Sequence, residues 1–408
     1  MKKMKKVLAL LTVLPLLIAC LSTSVMAAEK ADYTIKVYCG NNPEIKLGQF
    51  TALDFIYQGA LAFKNYCESN SSGRISVEIY PSSQLGSTQE ALQQCMQGTL
   101  ECVMGGDGET ATLYPEIQCM SIPYLYNNRD EYYAMLDSDY MAGVYADIEA
   151  RLGLKTLASA DNGGFRNFSN NIRPIHSAED MKGMKIRTME SPIFKAMLES
   201  FGASATPMAY NELYSALQTG VVDGQENSPG TTLNGSFYEV NKYYILDGHA
   251  ISSIFLYMDA KFFNSLPEDL QKVVVDAGET ATYAMRGGNC ANEALALTAL
   301  AENGMEIYSP TPEEKESFRV AQGPVTEWLK EQIGAEPVDN FMAAVAAVKA
   351  GETASAAPSA PEASAPAAPA APAASSSGMN TVTYAAIGVA VVAVLVAAFT
   401  VSKSKKKD

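Results

Sequence analysis

Two arginines carry the chemistry most readily read from this chain. Arg187 ends a short strand-like run in "MKGMKIRTMESPIF", just before a helix start at Ser191-Pro192, and Arg166 lies in "GFRNFSNNIRPI". A guanidinium is a rigid fork of N–H donors that meets a planar carboxylate through two parallel, charge-assisted hydrogen bonds. The helix N-terminus beside Arg187 adds to a preference for anions. On position alone, a surface arginine paired with an acid explains Arg187 equally well. Catalysis finds less support. His176 and His249, the only histidines, each lie in what reads as a connecting segment with no partner in view. There is no GxSxG elbow, HExxH, Walker loop or GxGxxG fingerprint. Glu190 and Glu226 would more simply accept hydrogen bonds from ligand hydroxyls than move protons. None of the seven cysteines forms a CxxC pair, so no compact zinc site is suggested, and no metal or cofactor is expected. Cys39 and Cys102 are a candidate disulfide near the ends of neighbouring strands; buried free thiols are the alternative.

The elements that would hold these residues alternate. "YTIKVYCG" (Tyr33–Gly40) reads as a strand, with a helix over about Phe50 to Glu68 and a second strand, "RISVEIYP". "SQLGSTQEALQQCMQG" opens a helix with a capping box, Ser87 and Glu90, and stops it at Gly98. The strand "TLECVMGG" follows, so the pattern is that of a mainly parallel α/β sheet. One unit recurs: "EALQQCMQGTLECVMG" from Glu90 and "ELYSALQTGVVDGQEN" from Glu212 both place glycine eight residues after glutamate, then two residues, then an acid, Glu101 or Asp223. This repeat predicts two related lobes, the second starting near Gly163. Ligands in such sheets bind beyond the carboxyl ends of strands. The candidate segments are Gly40 to Glu44, Gly105 to Thr110, Asp161 to Arg166, Arg187 to Ser191 and Gly224 to Ser228.

The chain's ends read differently. Residues 1–28 carry the basic, apolar and small-residue zones of an export signal. Two processing sites compete: the lipobox-like "LIAC" ending at Cys20, and "VMAAE", with cleavage near Ala27 or Ala28. Residues 349–381 form an Ala/Pro/Ser-rich linker, of which Gly351 to Gly378 alone reaches on the order of 80 Å if extended. Residues 382–401 make an uncharged apolar run long enough to cross a ~30 Å hydrocarbon core, and residues 402–408 a lysine-rich cytoplasmic tail. The expectation is an extracytoplasmic body anchored to the membrane by its C-terminal helix. The 408 residues carry 30 Lys+Arg and 45 Asp+Glu; eight of those bases and one acid sit in the first six and last six positions, which leaves a net of −22. Nucleic-acid binding is excluded by that acidity.

From Tyr33 to Val348 the sequence resembles the solute-binding proteins, DctP-type, of tripartite ATP-independent periplasmic (TRAP) transporters. The resemblance is carried by "GFRNFSNNIRPI", "AEDMKGMKIRTMESP", "GASATPMAYNELYSALQTGVVDGQENSP" and "SSQLGSTQEALQQCMQGTLE". It implies a two-lobed α/β periplasmic-binding-protein-like fold with a hinged cleft, here plus a C-terminal transmembrane helix, in which the lobes would be 29–163 with 253–292, and 164–252 with 293–348. It implies that Arg187 grips the ligand carboxylate, Arg166 assists, Asn227 supplies an amide and Tyr210 lines the pocket; Glu190, Gln84 and Asn41 are further contacts. The function implied is capture of a small organic acid, a sugar acid or a C4-dicarboxylate, by a monomeric, non-catalytic protein. The loaded protein would pass it to an ion-gradient-driven TRAP permease. "RTMES" leans toward the sugar-acid branch. A ligand-sensing receptor is the alternative. The anchor departs from the family pattern and would make lipidation at Cys20 redundant.

Overall fold

The computed structural model describes residues 31–47 and 50–351. The expected export signal, most of the linker, the apolar run 382–401 and the basic tail lie outside the described residues.

The first strand, β1 (Tyr33–Tyr38), leads through a β2–β3 hairpin (Glu44–Leu47 and Phe50–Leu53) into helix α1 (Phe55–Asn70). The helix expected from Phe50 therefore starts five residues later. Asp54 sets that start, its carboxylate accepting the backbone N–H of Ile56 and Tyr57. β4 (Ile75–Tyr80) then pairs parallel to β1. The capping box read at Ser87 and Glu90 opens α2 (Thr88–Met96), and β5 (Cys102–Gly106) lies parallel to β1 on its other side. A short turn, α3 (Asp107–Thr110), follows, and then α4 (Arg129–Leu136) and α5 (Asp139–Leu152).

The long strand β6 (Leu154–Asn170) carries the chain into the second half. There come β7 (Lys185–Thr188), α6 (Pro192–Ser200), β8 (Ser204–Pro207), α7 (Tyr210–Gln218), β9 (Gly224–Asn227) and α8 (Pro229–Asn234). β10 (Tyr243–Ile245) precedes β11 (Ala250–Asp259), which returns alongside β6. The sheet order is β4-β1-β5-β11-β6-β9-β7-β8. Each outer set of three is parallel and each borders an antiparallel crossing strand. The sheet is thus two copies of one four-strand pattern meeting at β11 and β6.

The sequence repeat is this symmetry. Gly98 and Gly220 both adopt left-handed φ, 74° and 73°, a conformation that glycine tolerates without a Cβ penalty. The acids that follow do the same work. Glu101 accepts the backbone N–H of Lys36 on β1 at 3.0 Å, and Asp223 accepts that of Lys185 on β7 at 2.8 Å.

The helix α9 (Ala260–Ser265) leads into α10 (Glu268–Glu302), 35 residues that pack with α1 over β1, β5 and β11. After β12 (Glu306–Tyr308), three helices close the chain: α11 (Pro312–Ala321), α12 (Pro324–Ile333) and α13 (Ala335–Lys349). They bridge the halves. Phe318 of α11 meets Phe168 and Phe201, whereas Phe341 of α13 meets Tyr140, and Lys349 donates to the Leu125 carbonyl at 2.5 Å.

One expectation is corrected, and one alternative left open by the sequence is resolved. The fold class shown is the two-lobed α/β architecture, and the expected C-terminal transmembrane helix finds no support: no helix among the described residues is long and apolar enough to cross a membrane. The one helix of sufficient length, α10, is studded with charge and packs as core. Cys39 and Cys102 form no disulfide; the six described cysteines are free thiols, five of them buried.

Candidate functional site: a cleft with one uncompensated arginine

The cleft opens where the strand ends of the two halves face one another. Arg166, from β6, and Arg187, from β7, both line it, and both are almost wholly buried at 1% and 2% exposure. Their electrostatics differ. Arg166 is already neutralised: Nε and Nη2 donate to the two carboxylate oxygens of Glu226 at 2.5 and 2.9 Å, and Nη2 also meets the Glu226 carbonyl at 2.6 Å. Behind it, His249 places Nε2 3.2 Å from Glu226 and Nδ1 2.8 Å from Asp247, and stacks on Phe168. Two carboxylates on one imidazole call for the doubly protonated ring. Burial alone would lower the His249 pKa, but Asp247 and Glu226 outweigh it and hold it above 6.5.

Arg187 has no such counterion. Nε and Nη2 both donate to the Met208 carbonyl, at 3.0 and 2.6 Å, and among the described residues no carboxylate bonds it. Burial accordingly pulls its pKa down to about 10. A buried guanidinium satisfied only by a neutral carbonyl is a site waiting for an anion.

Around it, Asn227 closes β9 with its amide at the cleft, donating Nδ2 to Gln225 Oε1 at 2.5 Å. Tyr210, at the start of α7, also lines the cleft, its hydroxyl donating to Asn234 Oδ1 at 3.3 Å. Asn41, on the loop after β1, donates Nδ2 to Asp54 at 3.2 Å. Ile56, Met104, Met189 and Ile254 supply apolar walls, and Glu109 on α3 brings a carboxylate. Such a site holds, orients and desolvates a small anion.

Residues 48–332 match the family model described as bacterial extracellular solute-binding protein, family 7 (DctP). The chain belongs to this family. The C4-dicarboxylate-binding periplasmic protein of Rhodobacter capsulatus is 30% identical over 292 residues, 71% of this chain and 86% of that protein. Two solved TRAP periplasmic solute-binding proteins superpose closely. One from a Polaromonas species bound to D-erythronate has a TM-score of 0.70 at 31% identity, covering 76% of this chain and 98% of its own. One from Sulfurospirillum deleyianum with bound succinate has a TM-score of 0.71 at 27% identity, covering 77% and 99%. Family 7 consists of extracytoplasmic binding proteins of transporters rather than enzymes.

In this family-7 chain, five of the seven residues expected at the site, Arg187, Arg166, Asn227, Tyr210 and Asn41, converge on one cleft. Gln84 and Glu190 do not line it. Gln84 sits exposed in the turn after β4, its N–H donating to the Pro81 carbonyl at 3.2 Å. Glu226, expected to receive ligand hydroxyls, is instead saturated by Arg166 and His249. His249 is the largest surprise, a fully buried residue wedged between two acids. Only the local Asp247-Gly248-His249 spacing hints at it; Glu226 arrives from another strand. Glu109 went unread because an acid on a four-residue turn has no sequence signature.

Proposed function

We propose that the protein captures a small organic acid in this cleft, binds its carboxylate through Arg187, and delivers it to a TRAP-type permease. The observation that carries this reading is the buried guanidinium of Arg187, without a carboxylate partner, at the cleft. Arg166 lies beside it but is held in place by Glu226, so its part is to add positive potential and a fixed donor edge. Asn227 and Tyr210 contact the carboxylate and its neighbouring carbon, and Asn41 contacts the rest of the ligand. The lobes 29–163 with 253–292, and 164–252 with 293–348, are the moving bodies, and the C-terminal helices span both.

The test is a thermal-shift screen of organic acids, followed by calorimetry on those that raise the melting temperature. Arg187→Met should abolish binding of every acid that shifts the wild type. The same variant should melt no lower than the wild type without ligand, because it removes a buried charge that the protein itself leaves unpaired. Wild-type affinity in the variant would sink the clamp. Uptake of the identified acid by vesicles containing the permease, dependent on this protein and an ion gradient, tests the delivery step.

A further inference from the structure

The cleft contains a carboxylate that the clamp does not use. Glu109 lies on α3, immediately after β5, and faces the same space as Arg187. Its position is built by two glycines. A Cβ on Gly106 would come within 2.6 Å of Glu109 Oε2, so the carboxylate folds back into room that any side chain there would occupy. A Cβ on Gly108 would collide with Met189 Sδ at 2.0 Å, so that side chain from the opposite lobe closes directly over the turn. The acid is thus pressed into the cleft.

The buried acids around the site have side-chain or backbone donors within the protein, whereas Glu109 is only partly buried. Glu226 has Arg166 and His249; Asp161 has Arg129 and Tyr133; Asp54 has Asn41 and two backbone N–H groups; Asp107 has Ser121. Among the described residues, no other side chain donates to the Glu109 carboxylate. Burial raises its pKa, opposed by a hydrogen bond from its own backbone N–H and by Arg187 and Arg166, and reinforced by Glu190. A carboxylate lining the cleft with only a backbone N–H and no side-chain donor has lone pairs left for what enters the cleft.

We infer that Glu109 is the specificity-determining residue of the cleft, selecting a monocarboxylate with hydroxyl groups at its far end and rejecting a dicarboxylate. The inference rests on the clamp proposed above. With one carboxylate on Arg187, hydroxyls on the remaining carbons donate to Glu109. A second carboxylate offers no donor and adds like charge where solvent is excluded, the kind of repulsion by which sites discriminate.

The experiment titrates purified wild-type protein and Glu109→Gln with D-erythronate, D-glucuronate and succinate by calorimetry at neutral pH. Gln keeps the size of Glu and removes the charge, and a circular dichroism melt checks the fold. Wild type should bind at least one of the two hydroxy acids on the order of 100-fold tighter than succinate. The variant should compress that ratio to about 10-fold or less, with succinate gaining affinity. An unchanged ratio in the variant, or a wild-type preference for succinate, would overturn the inference. Arg187→Met, run alongside, separates the two readings: retained binding there sinks the clamp whatever the ratio does. If none of the three acids binds the wild type, the inference falls.

Discussion

Arg166 and Arg187 are equally buried residues of one type whose roles diverge through their neighbours. Glu226 makes Arg166 part of the protein's own charge balance, and His249 with Asp247 extends that balance inward. A buried pair of this kind contributes little net stability, yet losing one partner costs about 3–5 kcal/mol. It also leaves a pH signature. Burial would raise the Glu226 pKa, but Arg166 and His249 bring it down to about 2 from the ordinary 4.5. Its contribution is therefore complete above pH 4.5 and lost as pH falls toward 2. His249 is shifted upward from 6.5, so its contribution is complete below that value and lost as pH rises through the higher folded-state pKa. Melting temperature against pH should thus fall on both the acid and the alkaline side. His249→Asn should flatten the alkaline limb while leaving a decline below pH 4.5; an identical alkaline limb in the variant would contradict the assignment of a charged imidazole.

At the level of elements, the repeated helix–glycine–strand unit was readable because its determinants are local. Gly220 needs a left-handed φ of 73°, and no atom beyond its neighbours lies within 4 Å of where its Cβ would be. Gly220→Ala should therefore cost about 1–2 kcal/mol through backbone strain alone, measured by urea denaturation, and Gly220→Asn less. A cost near zero would mean that the turn relaxes. The capping box at Ser87 was legible for the same reason, since both partners lie within one turn. Phe50 to Leu53 reads as helix because only Thr51 and Asp54 interrupt the apolar residues leading into α1. What separates them is Asp54, whose capping carboxylate is spent on Ile56 and Tyr57, and a hairpin partner in Glu44–Leu47.

Across the whole molecule, the two four-strand patterns meet at β6 and β11, and the backbone is irregular there. Gly163 and Gly164 have φ of 86° and 104° within β6, and the β6–β11 register shifts between Ile251 and Ser253. Opposite these crossings the lobes touch. Asn42, after β1, exchanges hydrogen bonds with Asn234, at the end of α8: its N–H and Nδ2 donate to Asn234, and Asn234 Nδ2 donates to the Asn42 carbonyl at 3.0 Å. Those bonds tie the two halves together, and moving the halves apart would break them. Asn42→Ala should raise the ligand dissociation rate about 3- to 10-fold, with little change in association rate, because it removes the bond from Asn42 Nδ2 to the Asn234 carbonyl while leaving the two bonds made by the Asn42 backbone. Stopped-flow kinetics would show this, and an unchanged dissociation rate would mean that the contact does not latch the lobes.

The sequence by itself determined the α/β alternation, the duplicated unit and the placement of Arg187 at a strand end, whereas Arg166 lies inside β6. Glycine conformation, helix capping and residue periodicity act over a few residues, and they survive being read in a line. The tertiary structure alone decided which arginine keeps an uncompensated charge, that His249 lies between two acids, that Glu109 faces the cleft, and that Gln84 and Glu190 do not. Those outcomes depend on groups brought together by the crossing strands, as with Arg166 and Glu226, 60 positions apart in the chain. Charge compensation follows spatial distance, which only the folded sheet defines.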